Sequence, residues 1–355
     1  MNRNDHRVRL LYSLIAISSI VYSPICQGEA TGEYLLFPHI GATFRSGLAD
    51  DSSLDDDDYK YGVDIFATSS YRNFLFLGEL LLAKDEQEIE RLQVGWTVGD
   101  SKVWLGRFHN PVGYWNTQFH HGSFLETGIS RPSIVEFEDD NGLLPIHLTG
   151  LLIEGVIEHD KQGLGYALAV GAGPELSDEL EALDVLDPGS GSHDLSLTLN
   201  LYHEPVLYAP TQYGLFINYS EIPAIRIGLN GIRQISAGVY GNWTSQRWRL
   251  TGSTFYLRNR LQQLSGALTD DFFSSYLQAD FNRDDHWTIF GRVEWTVGDE
   301  NDAYLALFPQ HINDRILGGV RVDVFDRHAF TLEISENRAQ GDTFGQFMLQ
   351  WDAMF

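Results

Sequence analysis

The chain has almost no cysteine. Of 355 residues only Cys26 carries a thiol, so neither a disulfide framework nor a cysteine-based metal motif can form within one chain. Prolines number only 11, and no apolar run beyond residue 30 reaches the roughly 20 residues that a spanning helix needs. Positive charge is scarce as well: 24 Lys and Arg stand against 49 Asp and Glu, a formal net charge of −25. That balance argues against nucleic acid as a partner and favours cations, or a surface where divalent ions bridge acids. No Gly-rich phosphate loop, H-E-x-x-H or C-x-x-C occurs. No cofactor is expected.

What is there begins with Arg3, Arg7 and Arg9, then an apolar run over 10–22 and the small residues Gly28 and Ala30. This order is that of an export signal: a positive segment, a short apolar segment and a cleavage zone. Pro24 and Ile25 fit a lipidation site at Cys26 poorly. Cleavage after Ala30 removes three arginines and two acids, Asp5 and Glu29, and leaves 21 basic and 47 acidic residues. The expected organisation is a signal peptide over 1–30 and one domain over 31–355. An exported chain without a spanning helix is periplasmic, secreted or an outer-membrane barrel.

The strand pattern chooses among these. Over 286–297, Trp287, Ile289, Gly291, Val293, Trp295 and Val297 fall on one face. His286, Thr288, Arg292, Glu294 and Thr296 fall on the other, with Phe290. Side chains alternate across a strand, so one face is apolar and the other charged. About sixteen such segments follow one another, each of roughly 10 residues, the length a tilted strand needs to cross a bilayer. They lie at 33–45, 59–69, 74–84, 89–98, 102–108, 146–158, 164–173, 193–203, 212–220 and 234–244, then at 247–259, 271–283, 286–297, 315–325, 329–338 and 343–355. Tight turns, as at 71–73 and 99–101, alternate with longer stretches at 46–58, 109–145, 174–192, 221–233, 260–270 and 298–314. The predicted fold is all-β: a transmembrane antiparallel barrel of about 16 strands with a long third loop folded into the lumen. The predicted location is the outer membrane of a Gram-negative cell.

The last strand adds a signal of its own. Phe347, Leu349, Trp351, Ala353 and Phe355 share a face, and the chain ends on that phenylalanine. A terminal aromatic after alternating apolar positions resembles the signal by which Gram-negative outer-membrane barrels are recognised for assembly, which assigns that role to Phe355 and Trp351. Gly106-Arg107-Phe108-His109-Asn110-Pro111-Val112-Gly113 resembles the G-K-F-x-x-P-x-G segment of the phosphate-selective porin-like family, the O/P type, also just ahead of a long third loop. The resemblance implies a sixteen-stranded, often trimeric channel with that loop in the lumen. It also implies anion preference from lysines at the constriction. Here the chain departs from it: residues 109–145 hold no lysine and one arginine, Arg131, against Glu126, Glu136, Glu138, Asp139 and Asp140.

Those six residues are the candidate constriction, and their sign favours cations. Arg91, Arg292, Glu294, Arg321, Asp323 and Glu333 fall on polar strand faces and are the candidate pore lining. His109, His120, His121 and His147 bracket the long insert, and imidazole with carboxylate suits transition metals. The bland reading of these histidines is polar lining, since no spacing matches a metal motif. The acidic runs at 55–58 and within 175–187 read most simply as solvated external surface. The function expected is passive diffusion of small hydrophilic solutes or ions, without enzymatic activity. The other classes are a barrel lipase or protease, for which only His121 beside Ser123 speaks, and a non-conducting structural or adhesive barrel. Expected partners are outer-membrane lipids and lipopolysaccharide, the barrel assembly machinery, the solutes themselves and further copies in a homotrimer.

Overall fold

The computed structural model describes residues 30–48, 57–84, 87–119, 123–138, 141–226, 228–299, 301–339 and 342–355. The export signal expected over 1–30 lies outside these residues except for Ala30, as do the acids at 55 and 56. The first strands are β1 (Thr31–Ser46), β2 (Asp57–Tyr71), β3 (Phe74–Ala83), β4 (Gln87–Val98) and β5 (Ser101–His109). Past the insert run β6 (His147–His159), β7 (Gln162–Ala172), two short strands, β8 (Glu175–Leu176) and β9 (Leu180–Glu181), and then β10 (Leu195–Glu204). The remainder are β11 (Gln212–Pro223), β12 (Leu229–Thr244), β13 (Trp248–Gln263), β14 (Gly266–Asn282), β15 (Trp287–Val297), β16 (Asp314–Val324), β17 (His328–Ala339) and β18 (Asp342–Ala353).

Every strand of the wall pairs antiparallel with its chain neighbour, and β1 pairs with β18 to close a barrel of sixteen strands among the described residues. β8 and β9 form a two-stranded sheet of their own within the loop between β7 and β10, and Leu176 of β8 makes one parallel bridge to Ala224 just past β11. The chain end completes the seam: Leu36 N donates to Phe355 O at 2.9 Å, and Phe355 N to Leu36 O at 3.0 Å. Closure leaves the wall without an open edge among the described residues, and an open edge is what a bilayer would not tolerate.

The burial pattern is inverted relative to a soluble sheet. On β15, Trp287, Ile289, Val293, Trp295 and Val297 are exposed, whereas Arg292, Glu294 and Thr296 are buried. β10 repeats this, with Leu195, Leu197 and Leu199 outside and Ser196, Thr198 and Asn200 buried. An apolar exterior around a polar interior fits lipid as the outer solvent. No helix among the described residues is long and apolar enough to cross a membrane; the strands supply the spanning elements instead.

All sixteen expected segments are wall strands, but four of the expected loops hold structure of their own. β13 runs to Gln263 and β14 starts at Gly266, so the long loop expected over 260–270 shrinks to Leu264 and Ser265. The stretch 221–233 is mostly strand, shared by β11 and β12. Arg258 and Arg260 occupy outward positions of β13, while Leu261 faces in. Beyond the apolar band the polarity rule reverses, so a strand end there looks like loop in sequence. The stretch 174–192 holds β8 and β9, and 298–314 holds a short 3-10 turn, Leu305–Leu307.

Candidate functional site: the lumen and the insert that crosses it

The insert spans 110–146, between His109 on β5 and His147 on β6, which face each other in register. Its entry is held by backbone geometry. Gly106 has φ +129, and a Cβ there would lie 2.0 Å from Leu92 O on β4, so only glycine fits. Asn110 Nδ2 donates to Pro145 O at 2.7 Å, and Asn116 Nδ2 to Asn110 O at 2.6 Å, tying the two ends of the insert together. Gly113, at φ +81, turns the chain into the short helix α1 (Gly113–Gln118); its Cα packs so closely that a Cβ would meet the Phe255 ring at 3.2 Å. Two glycines of the porin-like segment are thus explained by close approach and by a left-handed turn.

Past this entry the insert crosses the lumen. Val112, Tyr114, Trp115 and Phe119 join Phe216, Tyr240, Phe255 and Tyr276 of β11 to β14 in one buried cluster. Trp115 meets Tyr276 edge-on at 5.9 Å, and Phe119 lies 4.9 Å from Trp115. Further along, Phe124 and Leu125 pack against Phe37, Phe66 and Met354, near the β1–β18 seam. Leu143 O returns the chain to the first wall, accepting from Gln234 Nε2 at 3.0 Å and Tyr304 Oη at 2.7 Å.

The other wall holds the insert by charge. Arg292 on β15 donates to Ser130 O at 2.9 Å and Arg131 O at 3.0 Å, while its Nε bonds Glu294 at 2.8 Å. Arg315 on β16 donates to Arg131 O at 2.8 Å, and Arg321 donates to Glu126 O. The wall carboxylates take the insert's donors: Ser133 N reaches Glu294 at 2.7 Å and Ile129 N reaches Glu333 at 2.9 Å. The first wall adds one charged contact of its own: Arg249 on β13 pairs with Asp280 on β14 at 2.6 Å and donates to Thr127. An irregular chain has backbone groups that no ladder satisfies, and away from water they need partners. The wall's charged groups are those partners.

This placement changes the reading of several candidate residues. Arg292, Glu294, Arg321 and Glu333 do face inward, but all four are buried against the insert instead of lining open water. Asp323 pairs with Arg321 at 3.0 Å, and Arg91 pairs with Glu79 at 2.6 Å and lies over the Phe66 ring. Of the candidate constriction, Arg131 donates to Val135 O and stacks over Phe137, with Glu126 and Glu136 each 3.9 Å away. Glu138 is buried, bonded to Ile146 N, His147 N and His147 Nδ1. Burial pushes the Glu126 carboxyl up to about 8, against the opposing pull of Arg131 and Arg292. Glu126, buried beside Arg131, and Glu138, buried and bonded, are not free acids at a constriction. Only Glu136 of the described acids is partly exposed, and Asp139 and Asp140 lie outside the described residues.

The metal candidates divide in the same way. His109 and His147 come together, ring centroids 5.3 Å apart, while His120 and His121 lie outside the described residues. The side chain of Ser123 is likewise outside them. At the seam Phe355 and Trp351 both contact the His328 ring, at 5.7 and 5.8 Å. Sequence reasoning missed Arg249, Arg315 and Asp280; their inward strand positions were the available signal. It also missed the vestibule, a cavity of about 340 Å³ on the short-turn side. The vestibule is walled by Arg91, Glu154, Tyr166 and Tyr202 and roofed by Pro111, Asn116 and Gln118 of the insert.

Comparison with known structures agrees with the architecture. The anion-selective porin of Comamonas acidovorans aligns over 92% of this chain and 100% of its own, with TM-score 0.59 and 12% identity. The outer-membrane channel DcaP of Acinetobacter baumannii aligns over 92% and 97%, with TM-score 0.60 and 8% identity. The trimer form of OmpT, an outer-membrane protein of Vibrio cholerae, aligns over 92% and 99%, with TM-score 0.58 and 11% identity. The fold is that of the outer-membrane porins. No family model matches the sequence, and neither does any curated protein sequence, so the O/P type is not carried further. One expectation is corrected here, that the chain is no enzyme. OmpT accounts for several of these matches, and likeness at such identity reaches the porin fold without excluding catalysis.

Proposed function

We propose that the chain is an outer-membrane channel for small hydrophilic solutes or ions, delivered by a cleaved export signal over 1–30. The observation that carries this reading is the insert that crosses a closed, polar-lined barrel from the β11–β14 wall to the β15–β17 wall. A long segment held at so many points narrows a lumen, and a narrow charged lumen selects what passes. The apolar exterior supports a bilayer position, with lipid and lipopolysaccharide around it and the assembly machinery reading Phe355 and Trp351. A homotrimer is the expected assembly.

Selectivity rests on residues other than the insert's acids. Glu126 and Glu138 are occupied within the insert, so the charges that line the vestibule take over. Glu33, Asp100, Glu154 and Glu204 line it against Arg91 and Lys102, an acid excess that favours cations. The test is purified protein in a planar bilayer under a salt gradient. Stepwise conductance with a reversal potential on the cation side supports the proposal. Absence of conductance, or hydrolysis of lipid or peptide by the same preparation, replaces it with a structural or an enzymatic barrel.

A further inference from the structure

Three buried side chains from three adjacent strands meet at the base of the insert: Glu90 on β4, His109 at the end of β5 and His147 at the start of β6. One donor atom from each lies within 4.8 Å of the others. His147 Nε2 is 2.8 Å from Glu90 Oε2. Its other nitrogen, Nδ1, is 2.6 Å from Glu138 Oε2, and Glu138 Oε1 accepts from Ile146 N at 2.7 Å and His147 N at 2.9 Å. Glu138 therefore fixes the ring and leaves Nε2 aimed at Glu90.

Charge points the same way. Four carboxylates surround the two imidazoles. Glu79 pairs with Arg91 at 2.6 Å and Glu88 pairs with Arg107, while Glu90 and Glu138 both converge on His147. A protonated His147 offsets one of those two negative charges. A divalent cation held by neutral imidazoles offsets both, and buried charge requires such compensation.

We propose that Glu90, His109 and His147 form a site for a divalent transition-metal ion of the zinc class. Two imidazoles and one carboxylate suit zinc and leave a fourth position for water. Zinc bonds these donors at about 2.0–2.2 Å, so the present cluster must contract around the ion. Glu138 on His147 is the carboxylate–imidazole pair that orients a metal-bound ring. The bound ion joins β4, β5 and β6 and clamps the two strand ends from which the insert departs and to which it returns. The site stands whether or not the barrel conducts.

The test uses the full barrel in detergent, stripped with a chelator and titrated with zinc by calorimetry and with cobalt by visible absorption. One ion per chain is expected. His147→Ala, His109→Ala and Glu90→Gln should each weaken binding at least about tenfold, and Glu138→Gln about 10–100-fold as an orienting group. His159→Ala, an exposed histidine at the far end of β6, should leave binding unchanged. Zinc X-ray absorption on the wild-type barrel reports imidazole ligands directly, so the outcome does not depend on any variant folding. Absence of zinc binding, binding that His109→Ala and His147→Ala leave intact, or coordination without imidazole overturns the site.

Discussion

The two walls that face the insert hold it chiefly by different physics, although Arg249 and Gln234 of the first wall also donate to it. The β11–β14 wall offers Phe216, Tyr240, Phe255 and Tyr276 to the aromatic face of α1. The β15–β17 wall offers Arg292, Glu294, Arg315, Arg321 and Glu333 to backbone groups of 126–133. The first contact depends on shape and on apolar area removed from water, and it tolerates salt. The second depends on charge-assisted hydrogen bonds, stronger than neutral ones and costly to leave half made. A lumen arginine is thus not by itself a selectivity element. In this barrel it serves first as a partner for an irregular chain.

The comparison breaks most completely if the insert is removed. Deleting 114–140 takes away what both walls hold, and single-channel conductance should rise several-fold while the barrel still shifts mobility on boiling. Unchanged conductance would mean that the insert does not obstruct the path.

Single substitutions then separate the walls. Arg292→Ala leaves Glu294 buried beside Arg315 alone, and losing one member of a buried pair costs about 3–5 kcal/mol. Trp115→Ala on the aromatic side costs a similar amount, about 3–5 kcal/mol, through the cavity it opens. Hydrogen exchange tells them apart: Arg292→Ala should expose amides of 127–133 first, and Trp115→Ala those of α1. Simultaneous loss of protection across the insert in both variants would erase the distinction between the walls. Gly113→Ala should cost about 1–3 kcal/mol, because a left-handed residue then carries a side chain pressed against Phe255.

The smallest effect is one of pH. Burial raises the Glu126 carboxyl to about 8 from an ordinary value of 4.5. The folded insert therefore holds a proton that the released chain gives up between those values. Anchoring is strongest below pH 4.5 and weakens as pH rises towards 8, then levels off. Protection of 124–131 should fall across that interval in the wild type and stay flat in Glu126→Gln. His311 is the opposite case: burial lowers its imidazole to about 4 from an ordinary 6.5, so its contribution is complete above 6.5 and is lost as pH falls towards 4.

Much of the barrel was legible in the sequence because alternation is a local property. A strand with lipid on one side and polar groups on the other declares both faces within ten residues, as Trp287 to Val297 do. The signal failed where a strand passes beyond the apolar band, from Arg260 onward, because water removes the need for an apolar outer face. It failed again for the insert's acids, whose sign was plain but whose partners were not. Glu138 and Ile146 are eight residues apart, but Glu126 and Arg321 are separated by 195.

The sequence by itself determined the wall, the place of the insert and the sign of its charge, since each follows from neighbours along the chain. Only the tertiary structure decided that Arg292 and Arg315 hold backbone carbonyls and that Glu138 orients His147. It alone brought Glu90 beside two histidines. Closing the barrel brings residues of distant strands to one lumen, and burial there turns charges that read as pore lining into groups that must bind one another.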